Sequence, residues 1–541
     1  MDVGSETASS ARTDLQFKTW HLATALFLVA FLLRTAGVNW GLPDSTHHWS
    51  YHPDEPVIWM YSRQIVPWEG KFTPGFYNYG TFYLSLLRVF GDVFGGGGDM
   101  ASSHLVGRLL NCVAGAAMAS LVFTLLKGKT SDFGALAGGL AVAFAPGLVV
   151  HSRFQTVDVM ATALLLAGLV FVTAPKSDHK ISPWMAGVFF GLSAGTKYTG
   201  LLGLVAAAVV FVPRKMWKDL SKVVATTFVT FFVTTPGALL DSGKFWKDFS
   251  YEVTHSSQGH GLVFAGTPPG FVYHLFNLSI GFGTLLTILG LAGLGALAWK
   301  KHAWAYGLVA FALVEYALIG RAEVKFMRYA FPLIPVLAIG FGWLVGELHG
   351  HSNKRYRLGI VVALLGLLGV PDGGLRTSIL SSSFMSSPAL DPRQTVLSFV
   401  PAGSTVGLVS DPWFYTANFY PEAGSPRWVP YEKRQELMKA SKYHLVQHIP
   451  LNPDERFDWD VRTLDQKPNY VVFSSFETEG LQRIASDPPA QFKLQADRYN
   501  EFVSRLTKDY ALLSDEPNSW AFVHDMMYIH PTVWVWKRKA P

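Results

Sequence analysis

Tyr51-His52-Pro53-Asp54-Glu55-Pro56 lies in a polar segment soon after the first long apolar run of the chain, Trp20 to Val38. That run is apolar except for His21 and Arg34 and is long enough to span about 30 Å of hydrocarbon. The two prolines fix φ and disfavour helix in the residues before them, so the adjacent carboxylates sit on stiffened, non-helical backbone. Acids held at the edge of a membrane span rarely serve packing; they face a cavity or a substrate. The plain alternative is a solvated loop in which Asp54 or Glu55 caps a helix starting near Pro56. The apolar run itself reads as an uncleaved anchor, since a cleaved leader has a shorter core and a small-residue cleavage site. Arg34, near its outer end, is expected to snorkel to the headgroups or to point at Asp54 and Glu55.

Composition places the whole chain in the same class. Of 541 residues, 50% are hydrophobic and 16% charged, where a soluble protein carries about 25% charged residues. Mean hydropathy is +0.23. The expected fold class is therefore a polytopic α-helical membrane protein. The net charge of +6 is spread in short basic clusters between apolar runs, which writes membrane topology rather than a nucleic-acid partner. The single cysteine, Cys112, excludes an intrachain disulfide and a cysteine-based zinc or iron–sulfur site within one chain.

Further apolar runs lie near 105–126, 134–150, 158–174, 183–199, 200–213, 222–240, 272–298, 304–320, 327–347 and 357–371. With the first they make about eleven spans. Basic residues follow every even-numbered span: Lys127 and Lys129, Lys176 and Lys180, Arg214 to Lys222, Lys300 and Lys301, Lys354 to Arg357. Those loops are expected inside, with the N-terminus cytoplasmic and the C-terminus extracytoplasmic. The outer loop 39–104 holds an expected interfacial helix at Pro56–Ile65, an interfacial or re-entrant segment at Phe76–Phe94, and flexible punctuation at Gly95–Gly98. Residues 1–373 read as the membrane domain. Residues 374–541 read as one extracytoplasmic α/β domain, with strands near Thr405–Val409 and Tyr470–Phe473 and helices near Glu432–Ser441 and Arg498–Tyr510. The Ser-rich stretch Ser378–Ser387 reads as its linker.

This topology brings one set of polar residues to the outer face: Asp54 and Glu55, His151 to Arg153 with Asp158, Lys197 and Tyr198, His255 and His260, then Glu323, Lys325, Arg328 and Tyr329. Each has a plain alternative. Asp158 could cap a helix, Lys197 could snorkel, and Lys325 and Arg328, three apart, could anchor one helical face. His255 and His260 have weak metal spacing. Together, carboxylates and cations on one side suit a transfer reaction. A carboxylate would deprotonate an acceptor hydroxyl, and the cations would hold a phosphate and the charge it gains on leaving. A phosphate-bearing lipid is the natural donor at such a boundary.

With these residues in place the chain resembles the GT-C membrane glycosyltransferases, and more narrowly the bacterial glycosyltransferase family 39 and dolichyl-phosphate-mannose protein mannosyltransferase-like group. Tyr51–Pro56 carries the resemblance, supported by His151–Asp158, Gly195–Gly200 and Arg328–Pro335 over roughly residues 20–347. The resemblance implies a plasma or inner membrane enzyme moving a sugar, with inversion, from a polyprenyl-phosphate donor to a lipid, glycan or protein acceptor on the outer face. It implies Asp54, Glu55 and Asp158 as catalytic candidates, with Asp54 activating the acceptor. Lys197, Lys325 and Arg328 are implied at the donor phosphate. His52, Tyr198, Tyr329, His151 and His260 are candidate substrate contacts. No obligatory cofactor and no metal ligands are expected, although some GT-C enzymes use a divalent cation. The competing class is a secondary transporter or lipid flippase, for which the chain lacks the usual inverted repeat. A membrane receptor would leave the one-sided charges unexplained.

Overall fold

Helices dominate a computed structural model of the protein up to residue 384, and a mixed α/β unit follows. The structure describes residues 19–44, 47, 49–94, 99–173, 182–350, 353–419, 439, 441–448, 457–515, 520 and 522–540. The glycine run 95–98, the basic residues Lys176 and Lys180, and nearly all of the helix expected at Glu432–Ser441 lie outside them.

Among the described residues two helices are long and apolar enough to cross a membrane, Met100–Leu126 and Gly270–Trp299. Shorter apolar helices accompany them, including Thr19–Thr35, Val157–Val172, Ala305–Gly320 and Leu333–His349. By length and apolarity alone, fewer crossings qualify among the described residues than the about eleven expected. Local chemistry cuts several runs short. The run expected at 134–150 splits into Asp132–Ala143 and Pro146–His151, because Pro146 has no N–H to donate and suits the first position of a new helix. The helices present apolar side chains outward, such as Leu28, Val29 and Leu32, then Phe228, Val229 and Val233, then Leu313 and Val314. So many outward-facing apolar side chains fit a bilayer and not water, and the protein is a multi-pass integral membrane protein.

Small residues set how closely the helices pack. A Cβ on Gly293 would collide with the Gly340 backbone across the pair Thr284–Trp299 and Leu333–Gly350. In the outer loop a Cβ on Gly80 would collide with the Gly195 backbone, whose carbonyl accepts from Phe82 N at 2.8 Å. This close approach fastens the first outer loop to the turn that carries Lys197.

Two segments depart from the sequence expectation. The stretch 241–271, read as a loop, contains the helix Ser242–Gln258, whose Phe245 and Asp248 are buried while Trp246, Tyr251 and Val253 are exposed. Its mixed polarity hides it from a search for apolar spans. The Ser-rich linker is also a helix, Gly374–Phe384, with Ser378, Ser381 and Ser382 buried. Serine suits this site because its hydroxyls bond backbone carbonyls: Ser382 Oγ donates to Ser378 O at 2.6 Å, and Ser378 Oγ to Phe144 O at 2.9 Å.

The C-terminal unit is built on β1 (Thr405–Leu408), β2 (His444–Val446), β3 (Tyr470–Ser474), β4 (Tyr510–Asp515) and β5 (Val533–Arg538). The sheet order is β2-β1-β3-β5-β4. β1 pairs in parallel with β2 and β3, whereas β5 runs antiparallel to β3 and β4. The α/β class is as expected, with Lys493–Asp509 supplying the helix foreseen near Arg498–Tyr510. The unit is not held at arm's length. Phe414, Tyr415, Trp520, Met526 and Tyr528 belong to the same apolar core as the membrane helices.

Candidate active site

Pro53 precedes the helix Asp54–Ser62, so Asp54 and Glu55 stand on helical backbone and not on the non-helical backbone expected. Pro56 still lies within the first turn, where it breaks no helical hydrogen bond, and the exposed N–H groups there favour negative charge. Adjacent on the chain, the two acids point to different partners. Glu55 is fully buried and is clamped by Arg108, whose Nε and Nη2 donate at 2.8 and 2.7 Å. Gln155 N adds a third bond at 2.7 Å. Burial would raise the Glu55 carboxyl, but the Arg108 charge and hydrogen bonds overcome it and hold it down at about 2. Asp54 is part-exposed and lies 3.3 Å from Arg328 Nη2. Its carboxyl is pushed above the usual aspartate range, by burial first and by Asp158 as well, against the pull of Arg328.

Arg328 is the centre of the site. It sits in a short 3₁₀ turn, Met327–Ala330, just before the helix Leu333–Gly350. Besides Asp54, its Nε lies 3.8 Å from Asp158 and its Nη1 3.4 Å from Asp525. Asp158 occupies the first turn of Val157–Val172 without capping it, and its Oδ1 accepts from Lys197 Nζ at 2.6 Å. Lys197 in turn stands 4.3 Å over the Tyr329 ring. It turns to an acid rather than snorkelling. Asp158, Lys197, Arg328 and Tyr329 line a cavity of about 480 Å³ walled by apolar residues such as Leu165, Leu202, Leu318 and Pro332.

The remaining expected residues are placed less uniformly. Lys325 lies outside that wall, 3.2 Å from both Glu323 Oε2 and Thr267 Oγ1. The segment before Met327 is irregular, so the three-residue spacing does not put Lys325 and Arg328 on one helical face. His52 is buried, accepts from Asp54 N at 3.2 Å, and packs 4.4 Å from the Tyr528 ring. His151 Nε2 lies 3.3 Å from Asp525 Oδ1. Tyr198 donates to Tyr77 O and Tyr79 O at 2.7 and 3.0 Å, which braces the outer loop. His260 pairs with His255 at 2.9 Å, and burial, His255 and Arg328 lower its imidazole to about 4. Arg34 neither snorkels nor meets the acids: it is fully buried and donates to Ala143 O at 3.0 Å and Val142 O at 3.1 Å. Arg153 is similarly tied to Leu33 O at 2.6 Å.

Three residues of the site escaped the sequence reading. Asp525 is far along the chain in the α/β unit. Glu315 is a buried acid in the middle of the apolar helix Ala305–Gly320; it lines the cavity, and its Oε2 has no hydrogen-bond partner among the described residues. Arg108 looked like part of a span. Of these, Glu315 carried a readable signal, since a lone acid in an apolar run rarely serves packing.

Among the described residues no group of three or more His, Cys, Asp or Glu is arranged to hold a metal ion. Asp54, Asp158 and Asp525 converge, but the Arg328 guanidinium fills the place between them. The residues present therefore do not fit a divalent cation there.

The model of glycosyltransferase family 87 matches residues 79–345, just under half the chain. That range takes in Asp158, Lys197, Lys325 and Arg328; Asp54 and Glu55 precede it. The model that matches is thus that of family 87, and family 39, which the motifs resemble, is not confirmed. No curated protein matches the sequence. Among solved structures, the oligosaccharyltransferase of Archaeoglobus fulgidus tethered with an acceptor peptide matches over 92% of this chain and 73% of its own, at 14% identity and TM-score 0.51. Its apo form matches over 88% and 72%, at 14% identity and TM-score 0.50. ArnT from Cupriavidus metallidurans in the apo state matches over 96% and 98%, at 14% identity and TM-score 0.47. The likeness to the oligosaccharyltransferase is one of fold alone.

Proposed function

We propose that the chain is a membrane glycosyltransferase that moves a sugar, with inversion, from a polyprenyl-phosphate donor to an acceptor on the outer face of the membrane. The observation that carries this reading is Arg328, shared between Asp54 and Asp158 beside Lys197 at an apolar-walled cavity. The family 87 match and the fold support it. Residues 1–373 form the membrane domain, with the N-terminus cytoplasmic, and 374–541 the extracytoplasmic domain.

In this reading the lipid tail lies along the apolar wall and the phosphate meets Arg328 and Lys197. Asp54 takes the proton of the acceptor hydroxyl. The bond from acceptor oxygen to anomeric carbon forms as the bond from that carbon to the phosphate oxygen breaks, and the electron pair leaves on the phosphate. Single displacement needs the three atoms in line, so the protein supplies positioning and charge. A carboxyl raised above the usual aspartate range is the stronger base, which favours Asp54 for proton removal. Glu55 holds the loop. The acceptor is a lipid, glycan or protein.

The test is release of polyprenyl phosphate from a panel of polyprenyl-phosphate sugars, in membranes carrying wild type or Asp54→Asn with an acceptor extract. Release by wild type alone is expected. No release from any sugar overturns the transferase reading and leaves a transporter or flippase in its place.

A further inference from the structure

We infer that the C-terminal unit completes the site by supplying Asp525 as a positioning residue for Arg328. Asp525 is fully buried on the segment between β4 and β5. Its Oδ2 accepts from Met327 N at 2.8 Å, so it grips the backbone of the turn that carries Arg328. Its Oδ1 lies 3.4 Å from Arg328 Nη1 and 3.3 Å from His151 Nε2. One carboxylate thereby ties together a C-terminal segment, the Arg328 turn and the end of the helix Pro146–His151. Around it the segment is anchored by packing: Tyr528 lies 4.4 Å from the His52 ring, and His524 N donates to the Tyr273 hydroxyl at 3.3 Å.

The division of the guanidinium gives Asp525 its role. Nη1 faces Asp525, which lies away from the cavity wall, while Nη2 and Nε face Asp54 and Asp158. Without the Asp525 charge the carboxylates left beside the guanidinium are Asp54 and the cavity-lining Asp158, and it swings onto them. That withdraws it from an incoming phosphate and masks Asp54. The C-terminal unit is then part of the transferring machinery and not an appendage. This role rests on the transferase reading for its consequence, but the coupling of Asp525 to Arg328 is measurable by anion binding alone.

The experiment is a double-mutant cycle on the purified full chain: wild type, Asp525→Asn, Arg328→Ala and both together, each titrated with polyprenyl phosphate, with thermal unfolding measured alongside. Asp525→Asn is expected to weaken binding about 10-fold, and the double variant to bind no worse than Arg328→Ala, because residues acting through one another are non-additive. A purely structural role would instead subtract from both backgrounds. Asp525→Ser serves as the second variant should Asp525→Asn fail to fold. Wild-type binding by the Asp525 variants, losses that add in full to Arg328→Ala, or wild type binding no better than Arg328→Ala each overturns the inference. Sugar release by wild type is scored separately: its absence sinks the transferase reading, while the binding cycle still decides the role of Asp525.

Discussion

Two arginines meet two neighbouring acids in opposite ways. Arg108 and Glu55 are both fully buried and face each other through two short bonds, and Arg108 spends its other nitrogen on Val38 O and Trp40 O at 2.8 and 2.6 Å. Every strong donor there is answered, so the pair is closed to ligands. Arg328 is spread over three carboxylates at 3.3 to 3.8 Å and borders a cavity. A guanidinium shared at these distances retains capacity for a further anion, such as a bidentate phosphate. The same contrast separates Asp54 from Glu55: one carboxyl is raised and the other depressed, although they are adjacent in sequence. Burial closes the Arg108–Glu55 pair, whereas the cluster around Arg328 borders a cavity and fits the proposed transfer.

The contrast can be broken from either side. The largest effect is expected at Asp54, where Asn should lower sugar transfer ~10²–10⁴-fold, the usual worth of a general base, with little change in unfolding temperature. On the closed side, Arg108→Ala should leave Glu55 buried and unpaired and cost ~3–5 kcal/mol, read as a fall in thermal midpoint or loss of folded protein. The closed pair also has a pH signature. The Glu55 carboxyl is depressed from 4.5 to about 2, so its contribution to stability is fully present above pH 4.5 and is lost as pH falls through about 2. Glu55→Gln should therefore flatten the dependence of the thermal midpoint on pH across that window. The smallest effect is at Tyr198→Phe, which removes the hydroxyl bracing the outer loop and should cost ~1 kcal/mol in stability while transfer persists.

Much of the membrane half was readable because lipid forces apolar runs and one-sided charge. Thr19–Thr35, Met100–Leu126 and Val157–Val172 are helices within three of the expected runs, and Asp54 of Tyr51–Pro56 lies 3.3 Å from Arg328. The failures share a cause. Ser242–Gln258 and Gly374–Phe384 are helices whose polar residues bond partly within the helix and partly to distant backbone, as where Asp248 accepts from Tyr77 N and Ser378 donates to Phe144 O, so their local polarity resembles a loop or linker. Lys325 shares the outer face with Arg328 by topology, but its amine turns to Glu323 and Thr267. Asp525 could not have been placed, since its partners Met327, Arg328 and His151 lie in membrane-domain segments far away in sequence.

In the proposed transfer the adjacent acids have separate tasks, Asp54 in proton removal and Glu55 in holding the loop. The most direct measurement is sugar transfer per folded molecule, with thermal midpoint, for Asp54→Asn and Glu55→Gln side by side. Asp54→Asn is expected to keep the wild-type midpoint and to lose at least about 100-fold of transfer, the low end of a general base's contribution. Glu55→Gln is expected to lower the midpoint and to cost far less transfer per folded molecule. Wild-type transfer by Asp54→Asn, or loss of transfer by Glu55→Gln at an unchanged midpoint, would contradict this division of tasks.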